Sequence, residues 1–213
     1  MGATDPVLDA PNPGHERAAS DRIRHGHPLA PALPLLQQTL ADIADHAMHL
    51  MIVTDERGLV LGQAGPRAEH AKESTTAEHR VRTYHSWTCA AAPIREPGTG
   101  RLIGAVDVTK PARTFHPTTL KLVVAAARLA ECHLATHVAV RDERLLARGF
   151  SRLTALRGEP GALLAPDGRV LAARPEGWVP PRIVLPKGGR RVWFRGGEGV
   201  LEPLAEGWLL RRR

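Results

Sequence analysis

The chain has 213 residues with 43% hydrophobic and only 4% aromatic content, so it can bury one substantial core, or two small ones, built mainly from aliphatic side chains. Two cysteines are too few for a disulfide scaffold, which indicates a cytoplasmic protein, and neither a signal sequence nor a run of membrane-spanning length is evident. The net charge of +7 lies in residues 141–213, and we therefore consider DNA contact through this basic third.

The N-terminal residues 1–27 are rich in Pro, Gly, Ala and charge, and they hold almost no large apolar side chain. Such a segment buries too little surface to offset the entropy of ordering, so we expect a disordered arm. From Pro34 onwards, apolar residues recur at spacings of three and four, which predicts an amphipathic helix. Its stripe consists of Leu36, Leu40, Ile43, Ala47 and Leu50.

Two short apolar runs, 50–54 and 59–63, flank the sequence Asp-Glu-Arg-Gly and predict a first β-hairpin. Gly58 can take the positive φ angle that a tight reversal needs. Residues 65–76 are polar and form a predicted loop, and a short helix is expected between Thr76 and Trp87.

A second hairpin is predicted over Thr88–Pro111, where two runs rich in Ala, Val and Ile flank the Pro-Gly-Thr-Gly segment 97–100. Both runs are apolar on both faces, which favours strands that helices cover on each side. We expect this hairpin to form the centre of a sheet.

A helix of about thirty residues is predicted from Pro117 to Arg148, because Pro suits the first helical position and Gly149 interrupts the pattern at its end. Its apolar stripe fits packing on its own sheet and equally a two-helix dimer seam at its C-terminal end. The stripe consists of Leu120, Val123, Ala127, Ala130, Leu134, Val138, Arg141 and Leu145.

The last residues, 149–213, have the pattern of a small basic β module with about five short strands, separated by Gly and Pro. The strand segments are ALLAPDGRVLAA, PRIVLP, RRVWFR, GVLEPL and GWLLR. Within this module, run 163–171 resembles run 52–61, since each has an apolar stretch, Asp near Gly and a second apolar stretch. Either a duplicated sensor-like half or common turn chemistry accounts for the similarity.

The second hairpin and the helix after it carry a family resemblance. The sequence TCAAAPIREPGTGRLIGAVDVT, followed by PARTFHPTTLKLVVAAARLAE, resembles the later half of a GAF domain. It is most similar in type to the GAF-containing transcription regulators of actinobacteria, the acetoin-activator type, over residues 27–147. The resemblance implies an antiparallel sheet flanked by helices. The predicted fold is therefore α+β, with an arm at 1–27, a GAF-like sensor domain at 28–148 and an all-β C-terminal module at 149–213.

In such regulators, the GAF domain is a dimeric sensor that binds a small molecule and controls an attached output domain. The resemblance therefore implies an unknown small-molecule ligand and a homodimer formed through the long helix. Family members carry several tens of additional residues before the run that resembles 77–87, and here only 69–76 remain. The missing part would form one wall of the ligand pocket, and no output domain is evident.

The ligand is expected to lie between the face of the sheet and the residues that precede it. Alternation along the strands determines which residues share a face, but it does not say which face is inward. The candidate ligand-binding residues are Val53, Trp87, Cys89, Ala91 and Val106. No cofactor is expected.

An alternative is a metal-binding protein or enzyme built on the same fold. His133 and His137 lie one helical turn apart beside Cys132, and such ligands suit zinc. His46 and His49 would complete the site only if the two helices meet. Without a Cys-x-x-Cys or His-Glu-x-x-His frame, we expect no metal.

Two further residues, Cys89 and Asp107, have side chains that can take part in chemistry. Cys89 would be a nucleophile if His85 lowered its pKa, but a small core residue is the more common role of a free cysteine. Asp107 lies within an apolar run, where a buried carboxylate needs a partner, and we expect a structural hydrogen-bonding role for it rather than catalysis. The chain is therefore expected to be a sensor rather than an enzyme.

Overall fold

The computed structural model describes residues 26–39, 50–64, 87–111, 116, 118–186 and 188–213. The chain divides into two compact units, residues 1–135 and 136–213, each with one antiparallel sheet. This mixture of helix and antiparallel sheet, with additional strands at the C-terminus, confirms the predicted α+β class. The first unit ends inside the long helix for which the sequence predicted a boundary at 148. Residues 1–25 of the predicted arm lie outside the described residues.

The sheet of the first unit has the strand order β2-β1-β4-β3. Its strands are β1 (Leu50–Asp55), β2 (Val60–Ala64), β3 (Trp87–Arg95) and β4 (Leu102–Pro111). Strands β1 and β2 form the predicted first hairpin. Gly58 has a φ angle of +86°, and Oδ1 of Asp55 accepts the backbone N–H groups of Arg57 and Leu59 at 2.9 and 2.7 Å. The Asp side chain thus replaces missing backbone hydrogen bonds at the reversal.

The predicted second hairpin is also present, because β3 and β4 pair from Trp87 opposite Pro111 to Arg95 opposite Leu102. Its predicted position at the centre of the sheet is wrong for one of its strands. β4 lies between β1 and β3, whereas β3 is an edge strand among the described residues.

Among the described residues, one face of the first sheet packs against helices, and no described helix covers the other face, which we call the open face. Along β3, Ala90, Ala92 and Ile94 are buried, while the alternating residues Cys89 and Ala91 are exposed. The prediction that helices cover both faces stays a prediction, because no described helix packs on this second face and residues 40–49 and 65–86 lie outside the described residues. Alanine on the outward side made the run look apolar throughout, although an exposed methyl group requires no second core.

The core of the first unit lies between the buried face and two helical segments. A 3₁₀ turn at Ala30–Ala32 leads into helical residues 33–39 (α1), and the long helix α2 (Thr118–Thr154) covers the same face. A Cβ atom on Gly104 would lie 2.2 Å from the carbonyl oxygen of Thr54 in the neighbouring strand β1 and 2.6 Å from Cδ1 of Leu29, so no larger residue fits there. The buried side chains from the helical segments are Leu29, Leu33, Leu36, Val123, Ala126, Ala127, Ala130 and Leu134.

The predicted first helix is described only in part. Pro34 lies in the first turn of α1, and Leu36 is buried, as expected for the stripe. Leu50 begins β1 instead of ending the helix, because its neighbours alternate between the two faces of a strand. The remaining stripe residues at 40–49 and the predicted loop and short helix of 65–86 lie outside the described residues.

The long helix α2 continues beyond its predicted end. Gly149 lies inside it, and the helix ends at Thr154. A Cβ atom on Gly149 would lie 2.8 Å from Cδ2 of Leu163, which is fully buried. This glycine therefore allows the helix to approach strand residues closely, and it does not terminate the helix.

By length and composition alone, α2 is apolar enough to cross a membrane. It contains an 18-residue window with a mean hydropathy of 1.3, of which 28% is buried. The prediction that no segment approaches a membrane span is therefore wrong, because the Ala and Val residues of this helix raise its hydropathy as much as a spanning sequence would. Val123, Ala130 and Leu134 nevertheless pack in the first unit's core, as in a helix of a globular domain.

The second unit contains five strands in the order β6-β5-β9-β8-β7, all antiparallel. The strands are β5 (Gly161–Leu164), β6 (Val170–Arg174), β7 (Arg191–Phe194), β8 (Gly197–Leu204) and β9 (Gly207–Arg212). The predicted number of strands agrees with this sheet, but their assignment differs. The first segment supplies both β5 and β6, and the predicted strand at 181–186 forms only an isolated bridge from Arg182 to Arg169.

The similar runs 52–61 and 163–171 have the same backbone geometry. Each forms a hairpin with an irregularity in register, and the glycines at the turns, Gly58 and Gly168, have φ angles of +86° and +82°. The backbone N–H of Asp55 donates to the carbonyl of Leu59, and that of Ala165 donates to the carbonyl of Arg169. In both sheets the first strand also lies between the second and the last. The sequence similarity therefore reflects a repeated local structure.

Candidate ligand-binding face

The open face of the first sheet carries a row of partly exposed side chains across three strands. In register, Ile52 of β1, Asp107 of β4 and Ala91 of β3 lie opposite one another. Two residues further along the strands, and on the same face, Thr109 lies opposite Cys89. Because alternate residues share a face, these five side chains project away from the core that α1 and α2 cover.

Three of these side chains form a hydrogen-bonded chain. The hydroxyl of Thr109 donates to Oδ2 of Asp107 at 2.7 Å, and Sγ of Cys89 lies 3.1 Å from the same hydroxyl oxygen. Since the single proton of Thr109 points to the carboxylate, the thiol of Cys89 is the donor in the second contact. This series of hydrogen bonds therefore ends at the carboxylate of Asp107.

The other carboxylate oxygen of Asp107, Oδ1, is buried and has no hydrogen-bond partner among the described residues. Burial raises the pKa of Asp107, although the hydrogen bonds from Thr109 and from the backbone N–H of Val108 oppose that shift. An unsatisfied buried acceptor is unfavourable by about 1–3 kcal/mol. A ligand that donates a hydrogen bond to Oδ1 would remove this penalty.

The thiol of Cys89 is not activated. Burial raises its pKa, the hydrogen bond with Thr109 lowers it, and the negative charge of Asp107 raises it again, with a net increase. At neutral pH the residue is therefore a thiol that donates a hydrogen bond and not a thiolate nucleophile. His85, its predicted activator, lies outside the described residues.

The five predicted ligand-binding residues do not share one face. Val53 and Val106 are fully buried in the core beneath the helices, whereas Cys89 and Ala91 lie on the open face. Trp87 begins β3, opposite Pro111. Sequence reasoning missed Thr109 and the unsatisfied oxygen of Asp107, although the alternation Val-Asp-Val-Thr places both polar residues on the same side.

The predicted metal ligands are used in other ways. Nε2 of His133 lies 3.1 Å from the carbonyl oxygen of Pro31, which requires a proton on that nitrogen. That contact ties α2 to the N-terminal segment of the first unit. Cys132 and His137 also have partners of their own, and His46 and His49 lie outside the described residues.

His27, Asp55 and Glu56 are the described group whose geometry comes nearest to a metal site, with ligand atoms within 4.8 Å of one another. Nδ1 of His27 accepts the backbone N–H of Leu29, so in the neutral ring Nε2 carries the proton and faces Glu56 at 3.4 Å. A metal would have to displace that proton. The pKa of Glu56 is lowered, mainly by a backbone hydrogen bond and next by His27.

A model of the GAF domain matches residues 16–134, which is more than half of the chain. The chain belongs to the GAF domain family. The open face with Asp107 is therefore the outward face of the GAF sheet. The matched region ends one residue before the division between the two units.

Relatives of this GAF protein include named transcriptional activators. It is 36% identical over 95 residues to the propane 2-monooxygenase operon activator MimR of Mycolicibacterium smegmatis, covering 45% of this chain and 16% of that protein. It is 29% identical over 157 residues to the acetoin dehydrogenase operon activator AcoR of Bacillus subtilis, covering 59% and 26%. The chain spans less than half the length of the curated relatives it matches.

Among solved structures, the E. coli DhaR(N)-DhaL complex contains a chain similar to this GAF protein. The TM-score is 0.54 at 13% sequence identity, and the match covers 99% of this chain and 94% of that one. At this identity the similarity concerns the fold alone. It includes the strands that follow the GAF domain as well as the GAF domain itself.

Proposed function

We propose that this chain is the sensory part of a cytoplasmic transcription regulator and that it binds a small molecule on the open face of the GAF sheet. The observation that carries the proposal is Oδ1 of Asp107, a buried acceptor without a hydrogen-bond partner among the described residues, beside the apolar side chains of Ile52 and Ala91. A ligand that donates a hydrogen bond to this oxygen and covers Ile52 and Ala91 would offset the cost of leaving it unsatisfied. Cys89 and Thr109 lie at the edge of that contact.

The relatives support the regulatory role. MimR and AcoR are both named as operon activators, and they match 45% and 59% of this chain. The long helix α2 supplies a route for the signal, since it contributes Leu134 to the core of the first unit and Leu153 to that of the second. A ligand that shifts β4 would shift α2 through the core that they share.

The proposed regulator is a homodimer, but its seam differs from the predicted one. Leu134 and Leu145 of the predicted stripe are 5% and 2% exposed in a single chain, so they are not available to a partner. A second stripe with spacings of three and four lies on the outward side of α2, and Leu122 and Leu129 in it are 37% and 43% exposed. Its members are Leu122, Ala125, Leu129, Cys132, Thr136 and Ala139. This is the pattern of a two-helix seam.

DNA contact through the basic third stays a weaker proposal. Many of its arginines form ion pairs within the second unit, including Arg144 with Glu206, Arg152 with Glu202 and Arg211 with Glu159. Paired charges attract phosphate less than free ones. If DNA binds, its affinity must fall steeply with rising salt concentration.

An enzymatic alternative has less support. The raised pKa of the Cys89 thiol disfavours nucleophilic chemistry, and the proton on Nε2 of His133 disfavours zinc at His133 and His137. Metal analysis of the purified protein, together with alkylation rates of Cys89 before and after replacement of His85 by Ala, would separate an enzyme from a sensor.

A thermal-shift screen against a metabolite library tests the proposed ligand site. Compounds that bind the folded chain must raise its melting temperature by mass action. We expect hits that lose their effect in the variant Asp107→Val and keep it in Thr54→Val, which changes a partly exposed side chain on the same strand face as Ile52. Hits that stabilise both variants equally would contradict binding at Asp107.

A further inference from the structure

A cleft of about 230 Å³ lies within the second unit, between the C-terminal turns of α2 and the turn that joins β8 to β9. The helix contributes Leu145, Arg148, Gly149 and Arg152, and the turn contributes Leu204 and Glu206. The cleft is smaller than the roughly 300–1,000 Å³ of pockets for drug-sized ligands. It is therefore suited to a small metabolite.

The cleft is shaped by close backbone packing. A Cβ atom on Gly207 would lie 2.3 Å from the carbonyl oxygen of Leu164 and 2.5 Å from Cδ2 of Leu145. A Cβ atom on Gly149 would likewise meet the buried side chain of Leu163. Because Gly207 of the turn packs against Leu145 of the helix, and Gly149 of the helix packs against Leu163 of β5, neither wall can move inward to fill the space.

Two groups of opposite charge in the cleft lack full partners. Arg148 forms no ion pair with any described residue, whereas its neighbour Arg152 binds Glu202 at 2.7 Å. Oε2 of Glu206 is buried and accepts no hydrogen bond from the described residues. Its other oxygen lies 3.8 Å from Arg144, which is an ion pair without a hydrogen bond. Arg148 and Glu206 thus line the same small space, and within the part of the chain that the structure describes neither the Arg148 guanidinium nor Oε2 of Glu206 has a partner.

We propose that this cleft binds a small organic acid that carries a hydroxyl or ammonium group next to its carboxylate. The guanidinium of Arg148 would bind the carboxylate through two parallel N–H donors. The hydroxyl or ammonium group would donate to Oε2 of Glu206, and Leu145 and Leu204 would contact the short carbon chain. The site is separate from the open face of the GAF sheet, and it gives the chain a second input.

Calorimetric titration of the full chain with L-lactate, L-alanine and propionate tests the site. Propionate matches the other two in size but has no donor for Glu206. We expect lactate or alanine to bind in the millimolar range and propionate to bind at least ~10-fold more weakly, because a site built around a donor rejects the analogue that lacks it. Glu206→Gln distinguishes lactate from alanine. Its amide oxygen still accepts a hydrogen bond from the hydroxyl of lactate, but without the negative charge it attracts the ammonium group of alanine less.

Arg148→Gln should weaken binding by ~10-fold or more, and Arg148→Lys should weaken it less, because lysine keeps the charge but not the paired donors. Arg195→Gln, at an exposed arginine outside the cleft, is the matched control and should bind as the wild type does. The proposal is overturned if neither lactate nor alanine binds, if propionate binds equally well, or if Arg148→Gln leaves the affinity unchanged. Circular dichroism of each variant verifies that it is folded.

Discussion

Replacing Asp107 by Val should stabilise the chain without ligand while it removes the proposed ligand contact. The carboxylate has one oxygen bound to Thr109 and one buried oxygen without a partner among the described residues. Valine removes both and is well suited to β4. The variant should therefore gain stability and lose ligand binding through the same substitution, as expected where a binding site is itself unfavourable for stability.

The sign of the effect follows from three contributions. Removing the unsatisfied acceptor raises the free energy of unfolding by about 1–3 kcal/mol, and losing a hydrogen bond to a charged group lowers it by about 1.5–3 kcal/mol. These two nearly cancel. The preference of strands for Val over Asp, up to ~1 kcal/mol, then decides the outcome. We expect a net stabilisation of about 1 kcal/mol near neutral pH.

The stabilisation should depend on pH. The pKa of Asp107 is raised above its ordinary value of 3.8, so the folded state binds this proton more tightly than the unfolded state does. The contribution of Asp107 to wild-type stability is complete below that value, and it is lost as pH rises through the raised pKa. Val has no such proton. The free energy of unfolding of the variant should therefore exceed that of the wild type by a larger amount as pH rises from about 4 to 7.

Urea denaturation of the wild type and Asp107→Val at both pH values measures this difference. Asp107→Asn is the control, because it keeps an acceptor for Thr109 but has no charge, and its stability should lack the same pH dependence. Destabilisation by Val at neutral pH, or a difference between Val and wild type that does not change with pH, would refute the assignment of an unsatisfied buried carboxylate.

Three further predictions follow from packing and exposure. Gly149→Ala should lower the free energy of unfolding by up to about 2 kcal/mol in urea titration, because overpacking against Leu163 costs about 1–3 kcal/mol and helix propensity offsets only about 1 kcal/mol of it. Stabilisation by this change would show that the helix can move away from Leu163. Leu129→Asp should give a folded monomer by light scattering and circular dichroism, because the new charge is exposed in the single chain and would be buried only in the dimer. Leu134→Asp should instead unfold the first unit, because it buries an unpaired charge in the core of the single chain. A folded dimer with Leu129→Asp would exclude the outward stripe as the seam. Cys89 should react with iodoacetamide more slowly than an unperturbed thiol at pH 8, because its pKa is raised, and equal rates would contradict the hydrogen-bonded thiol.

Features with local causes could be predicted from the sequence. The turn at Asp55–Gly58 depends on an Asp side chain and a positive φ angle, both of which belong to the turn itself. The β3–β4 hairpin and most of α2 follow from the same kind of signal. The similarity of runs 52–61 and 163–171 was visible because the turn residues and their spacing repeat.

Features that depend on distant contacts could not be predicted. Gly149 has the composition of a helix end, and only its contact with Leu163, on a strand distant from it in sequence, explains why the helix continues. The open face was missed because Ala91 is apolar whether or not anything covers it. For the same reason, Val53 and Val106 could not be separated from Cys89 and Ala91 as core and surface. That Oδ1 of Asp107 has no partner among the described residues is a property of the folded surroundings and has no signal in composition.

Methyl-group NMR of the chain with a bound screening hit tests whether the ligand lies on the open face, because methyl signals report on each face of the GAF sheet separately. We expect the ligand to shift the methyl signals of Ile52 and Ala91 on the open face and to give intermolecular contacts to them, while Ala92, Val53 and Val106 in the core show no intermolecular contacts. Contacts to the core methyl groups, or a hit whose contacts lie wholly outside the sheet, would contradict a ligand site at Asp107.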